Sequence, residues 1–202
     1  LWDTIGKLGM SDTKLFGTDG VRGRFGKYPI NASVSSKLGY LFATLVGQSS
    51  KSFDILIGRD TRISGPILES SFAAGVVAAG YTPIMCGVIS TPGLAKLVSK
   101  NDFAGGAMVS ASHNLYFDNG FKFFDDTGQK ILESKTKEIE KKIKDLESPS
   151  LPAKKLQNKV KYIDGVACYL KLINQKKKYT AKRIILDCAN GSLSYAVDKF
   201  FK

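Results

Sequence analysis

Apolar and polar positions along the chain switch repeatedly between a helical and an extended period. Val34, Leu38, Leu41, Phe42 and Leu45 fall on one face at helical spacing behind Asn31. This predicts a helix capped at Asn31 and running to about Gln48. FDILIG at 53–58 is a short apolar run ending in glycine, the pattern of a buried strand. PILESSFAAGVVAA at 66–79 opens on proline and stops before Gly80, so it predicts a second helix. YTPIMCGV at 81–88 reads as a second strand. TPGLAKLVSK reads as a helix opened by Thr91 with Pro92 in its first turn. FAGGAMVSA predicts a third strand and GFKFFDD a fourth, returning after a polar loop. Residues 133–147 predict a charged helix whose Ile139, Ile143 and Leu146 make a narrow apolar stripe.

The alternation stops at SPSLPAKKLQNK, a serine-, proline- and lysine-rich stretch that reads as a linker. Beyond it come a helix near 162–175, a strand RIILDCANG and a helix starting near Ser192. The expected organisation is an α/β domain over residues 12–150, a linker over 151–160 and the opening of a second α/β domain over 161–202.

Composition adds limits. The chain has 202 residues, 43% hydrophobic and 24% charged, ordinary for a globular protein. No apolar run approaches the roughly 20 residues a membrane span needs. LWDTIGKLGMSDTK lacks a basic segment followed by an apolar core, so it is not read as a secretory signal. Met10 is the expected natural start. Three widely spaced cysteines (Cys86, Cys168, Cys188) without a CxxC argue against a structural zinc site or disulfide framework and fit a reducing cytoplasm. The net charge of +12 is concentrated between Lys135 and Arg183. It admits a nucleic-acid surface, but no recognised nucleic-acid motif accompanies the lysines. Solvated helix faces and a linker are the preferred account. A chain whose acidic residues lie downstream is a third.

Four loops carry dense polar chemistry, each expected beside a strand end, where α/β sheets gather ligand sites. FGTDGVRGRFG at 16–26 combines glycines with Thr18, Asp19 and Arg22, and Arg22 could grip a phosphate with two parallel hydrogen bonds. By itself it matches no phosphate-loop signature. In GRDTRISG at 58–65, Arg59, Asp60 and Arg62 are expected to neutralise one another locally, with presentation of charge to a phosphate as the alternative. TPGLAKL at 91–97 caps its helix or accepts an anion there. In MVSASHNLYFDNGFKFF at 108–124 the only histidine, His113, follows Ser112. On an extended chain neighbours point to opposite sides, so His113 is badly placed to deprotonate Ser112, and GxSxG is absent. Turn hydrogen bonding is one account of the pair. The better fit is a phosphoryl group carried on Ser112, with His113 and Lys122 holding it and moving protons.

GTDGVRG, GRDTRISG, STPG, SASHN followed by DNGFKFF, and DCANG occur in that order. Together they resemble the phosphohexomutases, most closely the bacterial branch that acts on glucosamine phosphate, over nearly all of the chain from Lys14. The resemblance implies a four-domain enzyme whose first three domains are mixed sheets sandwiched between helices, with domain one complete here and domain two begun. It implies that Ser112 is the phosphorylated serine, that His113 contacts the phosphoryl group, that Lys122 helps proton transfer and that Arg22 approaches phosphoserine and substrate. Asn114 and Asn119 shape the loop, and Thr18 and Asp19 join the substrate and phosphate loops. The implied metal is Mg2+, one per site, held by the Ser112 phosphate together with downstream aspartates.

The implied reaction interconverts glucosamine 6-phosphate and glucosamine 1-phosphate through a bisphosphate. Phosphomannomutase or phosphoglucomutase activity is the alternative, and a basic nucleic-acid-binding module the non-enzymatic one. Expected partners are a phosphosugar and, in the full-length protein, a second copy of itself, with no nucleic acid or membrane. The location is cytoplasmic, and these 202 residues alone are expected to be inactive. One departure is Leu115, where the family usually has proline. Leucine does not fix φ, so a freer loop is expected.

Overall fold

The structure is a computed structural model that describes residues 14–146, 159–173 and 183–201. Its strands are β1 (Val21–Arg24), β2 (Asp54–Arg59), β3 (Thr82–Val88), β4 (Gly105–Val109), β5 (Asp118–Asp125) and β6 (Lys161–Tyr162). Its helices are α1 (Ala32–Gly47), α2 (Gly65–Ala78), α3 (Thr91–Lys100), α4 (Glu133–Asp145), α5 (Gly165–Ile173) and α6 (Ser194–Phe200). The sheet order is β1-β5-β4-β2-β3-β6. β4, β2, β3 and β6 run parallel, and β5 is antiparallel to both β4 and β1. The fold is therefore α/β with a mixed sheet between helices, as expected.

Period-two alternation in the strands divides the core. Ile55 and Ile57 of β2 face one layer with Leu38 and Phe42 of α1, Phe72 of α2 and Ile139 and Ile143 of α4. Leu56 faces the other layer with Leu94, Leu97 and Val98 of α3, against which Cys168 and Tyr169 of α5 pack. Phe121 and Phe123 of β5 enter the first layer, where Phe42 stacks on Phe123 at 4.9 Å and Phe72 on Phe121 at 5.4 Å. Lys122, between two inward phenylalanines, is thereby turned to the opposite face of the sheet.

The punctuated helices lie where the pattern put them. The Asn31 side chain accepts from the Val34 N–H at 2.9 Å and caps α1. Ser90, one residue before the predicted opener, caps α3 by accepting from the Gly93 N–H at 3.2 Å. Thr91 and Pro92 fill the first turn, because proline's missing donor is harmless there.

Two strands were not foreseen. β1 arises inside the glycine-rich stretch read as a loop. Its VRGR sequence has no alternation, and β5 recruits it through backbone pairing over four residues. β6 pairs with β3 where a helix was expected to begin. Conversely, RIILDC at 183–188 forms no strand among the described residues, and Ile185 is 89% exposed. An apolar run cannot supply the ladder partner a strand needs. Most of the expected linker and the end of the helix near 162–175 lie outside the described residues.

Candidate active site

Because β2, β3 and β4 are parallel, the loops that follow them leave the same sheet edge. Backbone bonds fasten these exits together: the Asp60 N–H donates to Val109 O and the Ile89 N–H to Arg59 O, both at 3.0 Å. β1 lies at this end too, with Arg22 opposite Gly120.

Ser112 sits on the loop after β4, exposed, with φ of +60°. Left-handed backbone costs a non-glycine residue on the order of 1 kcal/mol and persists only where surroundings impose it. Several bonds impose it here. The Ser112 N–H donates to Ser110 Oγ at 3.0 Å. The Asn114 N–H turns back to Ala111 O, and the Asp118 N–H to Leu115 O. The Asn114 side chain donates to Asp118 Oδ2 at 3.0 Å.

The arginine of the neighbouring loop completes the hold. Arg62 donates from Nη2 to Ser112 O and Asn114 O, each at 2.9 Å. From Nη1 it donates to Leu115 O at 2.6 Å and Asp118 O at 3.0 Å. Its Nε is 3.1 Å from Asp60 Oδ2. The local Asp60–Arg62 pairing expected from GRDTRISG is present, while Arg59 instead pairs with Glu69 of α2 at 3.1 Å. Leu115, expected to loosen the loop, is exposed and contributes its carbonyl to the Arg62 contacts.

Arg22 and Lys122 lie on the same sheet face, since Arg22 is in register with Gly120 and Lys122 is two residues further along β5. Burial first, then the Arg22 charge, holds Lys122 below its ordinary lysine value, with Asp19 and Asp60 opposing. Arg22 Nη2 pairs with Asp19 at 3.1 Å. Its Nε is buried with no acceptor among the described residues, a donor suited to an anion. Thr18 accepts at its carbonyl from Lys130 Nζ. Thr18, Asp19, Thr91, Lys122, Lys130 and Glu140 border a cleft of about 650 Å³, of whose wall Ser112 is not part.

Asn119 does not face this space. It is fully buried and donates from Nδ2 to Ser64 Oγ at 2.8 Å, while its Oδ1 accepts from the Gly120 N–H at 2.8 Å. Its bonds tie the start of β5 to the residue that precedes α2. His113 is exposed beside Ser112. Sequence reasoning missed Asn119's partner Ser64, at the cap position of α2, and the reach of Arg62; nothing in a local pattern points 50 residues away.

No group of three or more His, Cys, Asp or Glu side chains comes together among the described residues. Asp19 is held by Arg22, Asp60 by Arg62 and Asp118 by Asn114. These residues do not by themselves fit a metal ion. No helix among the described residues is long and apolar enough to cross a membrane.

The family model for the phosphoglucomutase/phosphomannomutase α/β/α domain I matches residues 13–150. Similar relatives include the phosphoglucosamine mutases of Halalkalibacterium halodurans, 38% identical over 93% of this chain, and of Idiomarina loihiensis, 37% identical over 91%. The chain spans 42% of the length of each. Among solved structures, a phosphoglucomutase/phosphomannomutase family protein from Burkholderia thailandensis superposes with a TM-score of 0.79 at 24% identity, covering 93% of this chain and 41% of that one. The exocytosis-sensitive phosphoprotein parafusin, a phosphoglucomutase from Paramecium, does so at 0.72 and 19% identity, covering 92% and 40%. These two likenesses concern the fold. With the family model matching well over half of its residues, the chain belongs to the phosphoglucomutase/phosphomannomutase family.

Proposed function

We propose that the protein interconverts glucosamine 6-phosphate and glucosamine 1-phosphate, with Ser112 as the phosphoryl carrier. The observation that carries the reading is the conformation of Ser112: exposed, left-handed at φ +60° and held by bonds from two sides. A hydroxyl displayed at a strained and fixed position suits a group that must meet an incoming hydroxyl in line.

In the forward step the bond between phosphorus and Ser112 Oγ breaks as phosphorus takes the free sugar hydroxyl oxygen. The hydroxyl proton passes to a base and Ser112 Oγ regains a proton. The lowered pKa of Lys122 supports that residue as the proton acceptor. The product is a bisphosphate. After it turns in the site, its other phosphate returns to Ser112 Oγ. Arg22, with an unengaged buried Nε, is assigned to the phosphate oxygens, where cationic donors stabilise charge in transfer. His113 is assigned to the phosphoryl group beside it. Thr18 and Asp19 belong to the rim of the sugar site, and Asn114 and Asn119 keep the loop in shape.

Mg2+ belongs to the proposal through the resemblance alone. An oxygen of phosphorylated Ser112 is the ligand this chain offers, the remaining ligands being carboxylates outside it. The division at 12–150, 151–160 and 161–202 rests on the break in pattern at SPSLPAKKLQNK, and the expectation that these 202 residues alone do not turn over substrate rests on the resemblance. A cytoplasmic location is supported by three free thiols. On the exposed face of α4, Lys137 pairs with Glu133 and Lys142 with Glu138, which favours a solvated helix face over a nucleic-acid surface.

The test is an isomerisation assay on the protein at the relatives' full length, with glucosamine, mannose and glucose 6-phosphates in parallel. Preference for the glucosamine compound is expected. Preference for a neutral hexose phosphate would overturn the choice of sugar, and no turnover of any would overturn the reaction.

A further inference from the structure

Arg62 is engaged in an unusual way. Its side chain is 10% exposed, and a guanidinium has five N–H donors. Each has one acceptor: Asp60 Oδ2 for Nε, Leu115 O and Asp118 O for Nη1, and Ser112 O and Asn114 O for Nη2. Four of the five acceptors are main-chain carbonyls, three in the loop that carries Ser112 and one on Asp118, where that loop enters β5. Asp60 is itself fixed: its N–H donates to Val109 O at the end of β4, and its Oδ1 accepts the Arg62 N–H at 3.1 Å.

We propose that Arg62, braced by Asp60, is the positioning residue that sets the Ser112 loop, and that it does so through the backbone. Two consequences follow from the chemistry. Because Arg62 holds the Leu115 carbonyl, the hold does not depend on the side chain at position 115, so Leu115 does not by itself release the loop. A guanidinium with every donor engaged also has none left for a substrate phosphate, so Arg62 acts through Ser112 and not on the ligand. Lysine cannot replace it, because an ammonium offers three donors from one point and no planar fork. The effect on phosphoryl transfer rests on Ser112 being the carrier; the hold on the loop does not.

The experiment has two arms. In the first, amide hydrogen exchange is followed in the 202-residue chain for wild type, Arg62→Lys, Arg62→Ala and Asp60→Asn. Exchange across residues 112–118 is expected to quicken about tenfold or more in both Arg62 variants and less in Asp60→Asn. Residues 55–57 and α1 should stay protected, which shows that the variants are folded. Methylguanidinium at millimolar concentration should restore protection in Arg62→Ala, and methylammonium should not. Unchanged exchange in folded Arg62→Lys, or equal rescue by both cations, overturns the proposal. So does loss of protection throughout the chain in both Arg62→Lys and Asp60→Asn, because Arg62 would then be holding the fold rather than one loop.

In the second arm the full-length protein receives a phosphoryl group on Ser112 from glucosamine 1,6-bisphosphate. Arg62→Lys should lower kcat about 100-fold with KM nearly unchanged, the signature of misplacement without lost ligand contact. A raised KM with kcat intact would mean that Arg62 touches substrate and would overturn the proposal. If wild type takes no phosphate on Ser112 while the exchange result holds, the carrier reading fails and the loop clamp stands.

Discussion

Asn119 Nδ2 lies 2.8 Å from Ser64 Oγ, with both residues buried, and this bond ties the start of β5 to the start of α2. Ser64 occupies the cap position of α2 yet makes no capping bond with its side chain, since its oxygen is given to Asn119. The same amide closes on the Gly120 N–H. Asn119→Ala would strand both partners without water. A loss of about 2–3 kcal/mol is expected, read as a lower urea midpoint. A midpoint equal to wild type would show that the pair contributes nothing.

Glu69 titrates abnormally. Burial pushes its carboxyl up from 4.5 to about 7, against the opposing charge of Arg59, and its Oε1 has no partner among the described residues. A carboxyl raised in the folded state contributes stability that is complete below its unfolded value and is lost as pH climbs through the folded one. The stability of wild type relative to Glu69→Gln should therefore fall between about pH 4.5 and pH 7, leaving the glutamine variant at least as stable at pH 8. A difference that grows with pH across this window would contradict the assignment.

Much of this framework can be read from residues that punctuate. Asn31, Pro66, Pro92 and Gly80 bracket helices whose apolar faces repeat at helical spacing, and FDILIG is apolar enough to be a central strand. β1 was illegible because VRGR is polar and earns its place through pairing with β5. RIILDC was misread for the opposite reason: its apolar content is right, but no strand of the described residues lies beside it. At the site, Ser112, Lys122 and Arg22 stood out as chemistry-bearing residues. Asn119 and the Asp60–Arg62 pair were also singled out, but the distant acceptors of Asn119 and Arg62 were not, because they lie 55 and about 50 residues away in sequence.

Gly20 makes β1 compatible with β5. Its φ is +101°, and a Cβ there would lie 2.0 Å from Phe121 O. Gly20→Ala combines a disfavoured conformation with a backbone collision, and a cost of about 2–4 kcal/mol is expected. Because β1 carries Arg22, Ser112 phosphorylation should weaken along with the thermal midpoint. An alanine variant with wild-type melting would refute the packing described here.

Lys122 should govern the acid limb of the mutase rate in the full-length protein. Burial and Arg22 move its titration below the ordinary 10.5, so the rate should rise with pH as the neutral amine becomes available. Lys122→Met and Lys122→Arg should each lose about 10²–10⁴-fold, since neither can accept the proton. Retained activity with an unchanged pH profile in Lys122→Arg would remove Lys122 from proton transfer.

The central claim is that one hydroxyl carries the phosphate. The most direct measurement is peptide mass mapping of the full-length protein after incubation with glucosamine 1,6-bisphosphate, with Ser112→Ala as the control. One phosphate on the peptide containing Ser112, absent from the alanine variant along with mutase turnover, is the predicted result. Turnover at the wild-type rate by Ser112→Ala, or a phosphate mapped to another residue, would contradict it.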